Sequence, residues 1–285
     1  MVNFFLYRAG QRLALSVPLK IGYSLAVLFC WLHYIFASVD RAVVTDNLRA
    51  IFPDKSDTEL AKIRFGVFRN FAKYLVDFFR FEKIDADYIR RCVRIKNIDY
   101  FDQVLSKGKG AIVLTAHLGN WELGGAVFSV SAYPLWAVAL PHKDKRVNDF
   151  FDRQRQSKNL HVIPLGQAVR ACLRALKENK VIALVGDRDF TKKGVQVDFF
   201  GRPTIFPEGP AAFFLQAGAP IIPGFMLRNS DDTFTLVFEK PIEFTASGDK
   251  DKDIVDLITI YKGIYEDYIR KYPDQWFTFR RFWKQ

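Results

Sequence analysis

The sequence predicts an α/β fold: a mixed, largely parallel central sheet flanked by helices, with an N-terminal hydrophobic membrane-anchor helix. Three observations carry that reading. From residue 110 onward, short apolar runs of strand length alternate with stretches of helical periodicity. Residues 41–100 before them read as helical. Near the start, IGYSLAVLFCWLHYIFASV (21–39) gives 19 residues without a formal charge. A chain of 285 residues, 49% hydrophobic and with 28 Phe, can bury a sizeable core and is not disordered.

The 21–39 run is just long enough to cross a hydrocarbon core as a helix. It lacks the short apolar region and small-residue cleavage site of a signal peptide. Gly22, Ser24, His33 and Ser38 weaken it as a span, and a buried core helix is the alternative. Arg8, Arg12 and Lys20 flank one side and Arg41, Arg49 and Lys55 the other, so the distribution of positive charge sets no orientation. A helix lying in one leaflet fits as well as one that crosses. The simplest partition is a membrane-anchoring segment over 1–40 and one α/β domain over 41–285.

A long helix is expected from residue 57. Leu60, Ile63, Val67, Phe71, Leu75 and Phe78 recur at three- and four-residue steps, and Ser56 or Asp57 can cap it. Its other face is basic, with Lys62, Arg64, Arg69, Lys73 and Arg80, which suits either solvent or an anionic surface. Strands are then expected at AIVLTAH (111–117), LWAVAL (135–140), LHVIPLG (160–166) and VIALVGD (181–187). Helices should fill 121–130, 145–158 and 167–180 between them. Two further strands are expected in 219–227 and 233–244, and a helix over 253–273. In such sheets ligands bind beyond the carboxyl ends of strands, where His117 and Asp187 fall.

The net charge of +11 and a pI near 9.5 favour anionic partners. Cys30, Cys92 and Cys172 are far apart and odd in number, so no disulfide framework or zinc spacing is present. The four histidines form no metal-binding pair, and neither a metal site nor a cofactor is expected. GxSxG, P-loop and GxGxxG signatures are missing, as is any nucleic-acid motif, which leaves charge as the sole support for a non-enzymatic nucleic-acid or membrane-binding protein.

In AIVLTAHLGNWELGG (111–125) an apolar run ends on His117, Gly119 gives the turn, and Asn120 is placed to cap the next helix. Glu122 then lies in that helix's first turn, where its carboxylate can meet the imidazole across the reversal, fix its tautomer and leave the other nitrogen a general base. The bland alternative is a histidine at a strand end and a glutamate that suits the helix dipole. Without a nearby Ser or Cys, such a base would act on a substrate's own hydroxyl, or on water in a thioesterase.

HLGNWE (117–122) resembles the H-x4-D/E motif of membrane glycerolipid-type acyltransferases. Its extended form is most similar to the bacterial lipid A late acyltransferases, lauroyl or myristoyl type, and is shared by phosphatidylinositol mannoside acyltransferases. GDRDF (186–190), VDFFGRPTIFPEGPAAFFLQAGAPIIPGF (197–225), PDQWFTFRRFW (273–283) and DRAVVTDNLRAIFP (40–53) extend the resemblance over nearly the whole chain. It implies transfer of a fatty acyl chain from acyl carrier protein or acyl-CoA to a hydroxyl of a lipid A precursor. The inner membrane would hold the protein, with its catalytic domain on the cytoplasmic face. His117 would be the base and Glu122 its partner. Asn120, Arg155, Asp187, Arg188, Asp189, Glu208 and Gly209 would bind substrate, with Arg153 competing with Arg155 for a role at an anionic headgroup or oxyanion. FPEGPA (206–211) departs from the FPEGTRS of glycerol-phosphate enzymes, which argues against glycerol phosphate as acceptor.

Overall fold

The computed structural model describes residues 2–191 and 194–283, and it begins with four helices. These are α1 (Val2–Ser16), α2 (Leu19–Phe36), α3 (Ser38–Ile51) and α4 (Asp57–Phe79). α4 starts at a reciprocal cap: the Ser56 hydroxyl accepts from Glu59 N, and the Glu59 carboxylate accepts from Ser56 N at 3.0 Å. α2 carries the uncharged run and lies antiparallel along α4. Tyr23 near its start bonds Asp77, and Tyr34 near its end meets Phe65 edge-on and accepts from Arg64 Nε at 2.7 Å.

Short α5 (Ala86–Cys92) leads into β1 (Val93–Lys96) and α6 (Tyr100–Leu105). The alternating part follows: β2 (Ala111–Thr115), α7 (Trp121–Ser131), β3 (Leu135–Ala139), α8 (Lys145–Gln156), β4 (Leu160–Pro164), α9 (Ala168–Lys177) and β5 (Val181–Val185). A hairpin of β6 (Val195–Phe199) and β7 (Arg202–Phe206) comes next, then α10 (Gly209–Ala217), β8 (Ile221–Arg228), β9 (Phe234–Phe238) and α11 (Lys250–Lys271).

Among the described residues the sheet has seven strands in the order β1-β9-β8-β2-β5-β3-β4. β8, β2, β5, β3 and β4 are parallel; β9 turns back antiparallel to β8, and β1 runs parallel to β9. The α/β fold, its largely parallel sheet and the N-terminal apolar helix are as the sequence predicts. β2 is buried at Ala111, Ile112, Val113 and Leu114, as a central strand covered on both faces must be.

Sequence periodicity missed β1, the β6–β7 hairpin and α10. β6 does alternate, Val195-Gln196-Val197-Asp198-Phe199, but it is short and β7 carries Pro203, while α10 is apolar almost all round, since it lies between α9 and α11. The 253–273 helix starts earlier, at Lys250, because Asp249 caps it. The expected strand at 233–244 stops at Phe238, ahead of Pro241.

Much of the basic face of α4 is spent internally. Arg64 bonds Tyr34 and Thr45, Lys73 pairs with Asp232 at 2.7 Å, and Arg80 caps the end of α1 through the carbonyls of Ala14 and Val17. The apolar face that remains uncovered belongs to α1 and α2: Phe5, Leu6, Ile21, Leu28, Trp31 and Phe36 are all exposed.

Candidate active site

β2 ends at Thr115, and the chain passes through Ala116 to His117 and reverses at Gly119. Gly119 has φ of 64°, and a Cβ there would lie 2.1 Å from the Met226 carbonyl oxygen of β8. Only glycine fits that close approach. Asn120 N then donates to the same Met226 oxygen at 2.8 Å, so the turn is pressed against the sheet.

The C-terminal segment after α11 crosses this turn. Gly119 N donates to Gln275 O at 2.8 Å and Phe277 N to His117 O at 2.9 Å. Gln275 clasps Arg228 of β8 both ways, accepting from its N–H and donating to its carbonyl, each at 2.9 Å. Tyr265 of α11 donates to Thr115 O at 3.0 Å. The strand end and its turn are thus fixed by backbone and side-chain bonds on every side.

His117 Nδ1 bonds Asp187 Oδ1 at 2.6 Å. Asp187 is fully buried just past β5, the immediate neighbour of β2 in the sheet, and its Oδ2 accepts from Trp276 Nε1 at 3.2 Å. Burial alone would raise the Asp187 carboxyl. His117 beside it, with the bonds from His117 and Trp276 and the charge of Arg188, outweighs that and holds it well below the usual carboxylate range. An ionised Asp187 accepts from Nδ1–H and so directs the Nε2 lone pair outward. Among the described residues Nε2 has no hydrogen-bond partner, and the side chain is 18% exposed.

This corrects the expected pairing of His117 with Glu122. Glu122 is in the first turn of α7 as predicted, but Arg155 of α8 takes both its oxygens, Nε to Oε2 at 3.0 Å and Nη2 to Oε1 at 2.5 Å. The two side chains are only 11–12% exposed. Burial opposes the Arg155 charge, but Glu122 outweighs it and raises the guanidinium further. The strand-to-turn geometry explains the change: Trp121 packs edge-on against the imidazole at 5.0 Å between ring centroids, while the neighbouring strand delivers a carboxylate to its Nδ1.

Asn120 is also corrected. It is buried, its Oδ1 accepts from Leu123 N at 3.1 Å as a helix cap, and its Nδ2 donates to Asp77 at 2.7 Å, so neither end is open to a substrate. Asp189 folds back on its own loop, accepting from Thr191 N and Oγ1. Arg188 is largely buried, gives Nη2 to Phe277 O at 2.6 Å, and its Nε is a buried donor with no hydrogen-bond partner among the described residues. Glu208 and Gly209 open α10 and form no hydrogen bond with His117, Asp187, Glu122 or Arg155.

Trp276, Asp77 and Arg228 were not singled out from sequence. Trp276 lies in a quoted motif, but nothing in its spacing shows that it reaches Asp187. Asp77 and Arg228 are charges inside apolar runs, which is the one signal that could have flagged them.

A cavity of 560 Å³ opens between α1, α2 and α4, walled by Leu13, Phe29, Phe71, Leu75, Phe79 and Phe279. It does not contain His117. A run of ring contacts connects the two: Phe71 to Phe277 at 5.4 Å, Phe277 to Trp121 at 6.1 Å and Trp121 to His117 at 5.0 Å.

Cys172 is buried beneath the sheet with its thiol pushed up to about 12 by burial, so it is no nucleophile. Among the described residues no serine or cysteine bonds His117. An oriented base without a protein nucleophile fits attack by a substrate's own hydroxyl or by water.

The chain belongs to the bacterial lipid A biosynthesis acyltransferase family, whose model matches residues 1–285. It is 29% identical over 282 residues to the phosphatidylinositol mannoside acyltransferase of Mycolicibacterium smegmatis, covering 97% of this chain and 90% of that one. It is 32% identical over 160 residues to the enzyme of the same name from Mycobacterium tuberculosis, covering 54% and 51%. With the lipid A biosynthesis palmitoleoyltransferase of Escherichia coli it shares 23% identity over 203 residues, covering 70% and 66%.

Proposed function

We propose that this acyltransferase moves a fatty acyl group from a thioester, on acyl carrier protein or coenzyme A, to a sugar or polyol hydroxyl of a phosphate-bearing glycolipid. The observation that carries the reading is the chain of bonds Trp276–Asp187–His117 at the end of β2, which leaves Nε2 outward. Nε2 takes the proton of the acceptor hydroxyl as its oxygen attacks the thioester carbonyl. The tetrahedral oxyanion collapses, the carbon–sulfur bond breaks, and the leaving thiolate takes the proton back from Nε2–H. A general base of this kind contributes about 10²–10⁴-fold. Arg155 is occupied by Glu122, so its part is to hold that side chain, and Arg188, largely buried with its Nε 3.9 Å from Asp187, adds positive charge beside the site.

The apolar cavity suits the acyl chain, and the exposed face of α1 and α2 suits a lipid surface. α2 follows α4 from Gly22 to Tyr34, about 18 Å at the helical rise, which favours a helix lying in one leaflet over one that leaves the domain to cross the bilayer. The cytoplasmic face of the inner membrane supplies both thioester donors.

Among acceptors, a phosphatidylinositol-mannoside type stands ahead of a lipid A precursor. The relative named for the former matches along 97% of the chain, the Escherichia coli enzyme along 70%. Mass spectrometry of lipids from a deletion strain tests this directly: the acceptor class is the one that loses a single acyl chain. An unchanged lipid profile, or acyl transfer at parental rate by His117→Ala, would refute the reading.

A further inference from the structure

The active-site turn is tied to the apolar helix α2 through one buried carboxylate. Asp77 of α4 is 1% exposed. Its Oδ1 accepts from the Tyr23 hydroxyl of α2, and its Oδ2 accepts from Asn120 Nδ2 at 2.7 Å and from Arg228 Nη2. Asn120 is itself the cap of α7 and sits on Met226 O, three residues after His117. Arg228 lies over the Tyr23 ring at 4.9 Å and over Phe234 at 4.6 Å, and its Nη1 reaches Asp232, which Lys73 also holds. Two carboxylates and two cations are therefore closed into one network, each with a directed partner.

Such a network is poor material for stability alone, because well-packed apolar residues of the same volume do as well or better. What it adds is direction. Charge-assisted hydrogen bonds at fixed angles hold three separate elements in one register. Here the elements are the lipid-facing helix, the catalytic turn and β8.

We propose that Asp77 is a positioning residue of the active site, which through Tyr23 and Asn120 makes α2 and the His117 turn one rigid body, so that contact of α2 with a lipid surface steadies the imidazole. The consequence for turnover rests on the acyl-transfer reading; the rigidity does not, and can be measured without turnover.

The test uses the full-length protein, alone and with phosphatidylglycerol–phosphatidylcholine vesicles. Histidines are acylated with diethyl pyrocarbonate and read by peptide mass spectrometry. Tyr23→Phe removes one hydroxyl. It should speed labelling of His117 about threefold through local opening of the turn, while exposed His142 and His161 keep their parental rates. Vesicles should slow His117 labelling in the parent and leave Tyr23→Phe unchanged. With thioester donor and acceptor present, Tyr23→Phe should lower kcat about tenfold with KM for the donor within about twofold. The double variant with Asn120→Ala should lose no more than the poorer single. Should Tyr23→Phe fail to fold, Asn120→Ser carries the same test, since its shorter side chain keeps a cap acceptor and withdraws the amide donor from Asp77. Equal His117 labelling in variant and parent overturns the proposal whatever the transfer rate. Retained transfer in His117→Ala overturns the acyl-transfer reading and leaves the labelling result standing.

Discussion

Replacing Asp187 by asparagine keeps the size of the side chain and removes its charge. In the parent, Oδ1 accepts from His117 Nδ1 at 2.6 Å and Oδ2 from Trp276 Nε1 at 3.2 Å, with no solvent access. The single amide oxygen of the substituted side chain can serve only one of these donors. The Trp276 indole can only donate, so it claims the oxygen, and the amide NH₂ then faces Nδ1. That favours the tautomer with the proton on Nε2, which cannot act as a base. The expected loss in kcat is about 10²–10⁴-fold, the full contribution of a general base, or roughly 3–5 kcal/mol at about 1.36 kcal/mol per tenfold. The loss should fall on kcat with little change in KM for the thioester, measured by release of free thiol in the presence of acceptor lipid. A stability effect accompanies it and has a definite sign. The Asp187 carboxyl is held below its ordinary range, so its contribution is fully present above the unfolded value of about 4 and is lost as pH falls through the lower folded value. The stability gap between parent and Asp187→Asn should therefore narrow on acidification below about pH 4. An Asp187→Asn enzyme within tenfold of the parent would refute the argument that this carboxylate sets the tautomer.

Trp276→Phe removes only the donor to Asp187 Oδ2, and kcat should fall about tenfold, in line with one hydrogen bond to a charged group; steady-state thiol release checks it. Gly119→Ala places a methyl 2.1 Å from Met226 O at a positive φ, and should cost more than about 3 kcal/mol in urea unfolding or prevent folding outright. Leu75→Trp narrows the apolar cavity, and competition between donors should show preference moving to shorter acyl chains with His117 chemistry unchanged.

The positions of the strands were legible because a central parallel sheet must be apolar on both faces, and β2, β5 and β8 carry almost unbroken apolar runs. His117 and Asp187 were each legible as polar residues just beyond such strands. Their pairing was not, because it depends on β2 and β5 being neighbours in a sheet whose order no local pattern encodes. Glu122 looked the better partner since it lies five positions after His117, whereas Asp187 lies 70 positions after it. Proximity in sequence misled there, because the first turn of α7 points Glu122 toward α8 and its arginine. Asn120 was read correctly as a cap, and that same role, doubled by Asp77, removes it from the substrate.

Trp276 lies 89 residues after the aspartate it orients, and Phe277, which holds the His117 carbonyl, comes one residue later. Every strand of the sheet precedes both residues in the chain. An unfinished chain can therefore carry the base and the carboxylate without the indole that aligns them. Alignment of the base thus depends on the segment after α11, and the sheet by itself does not provide it.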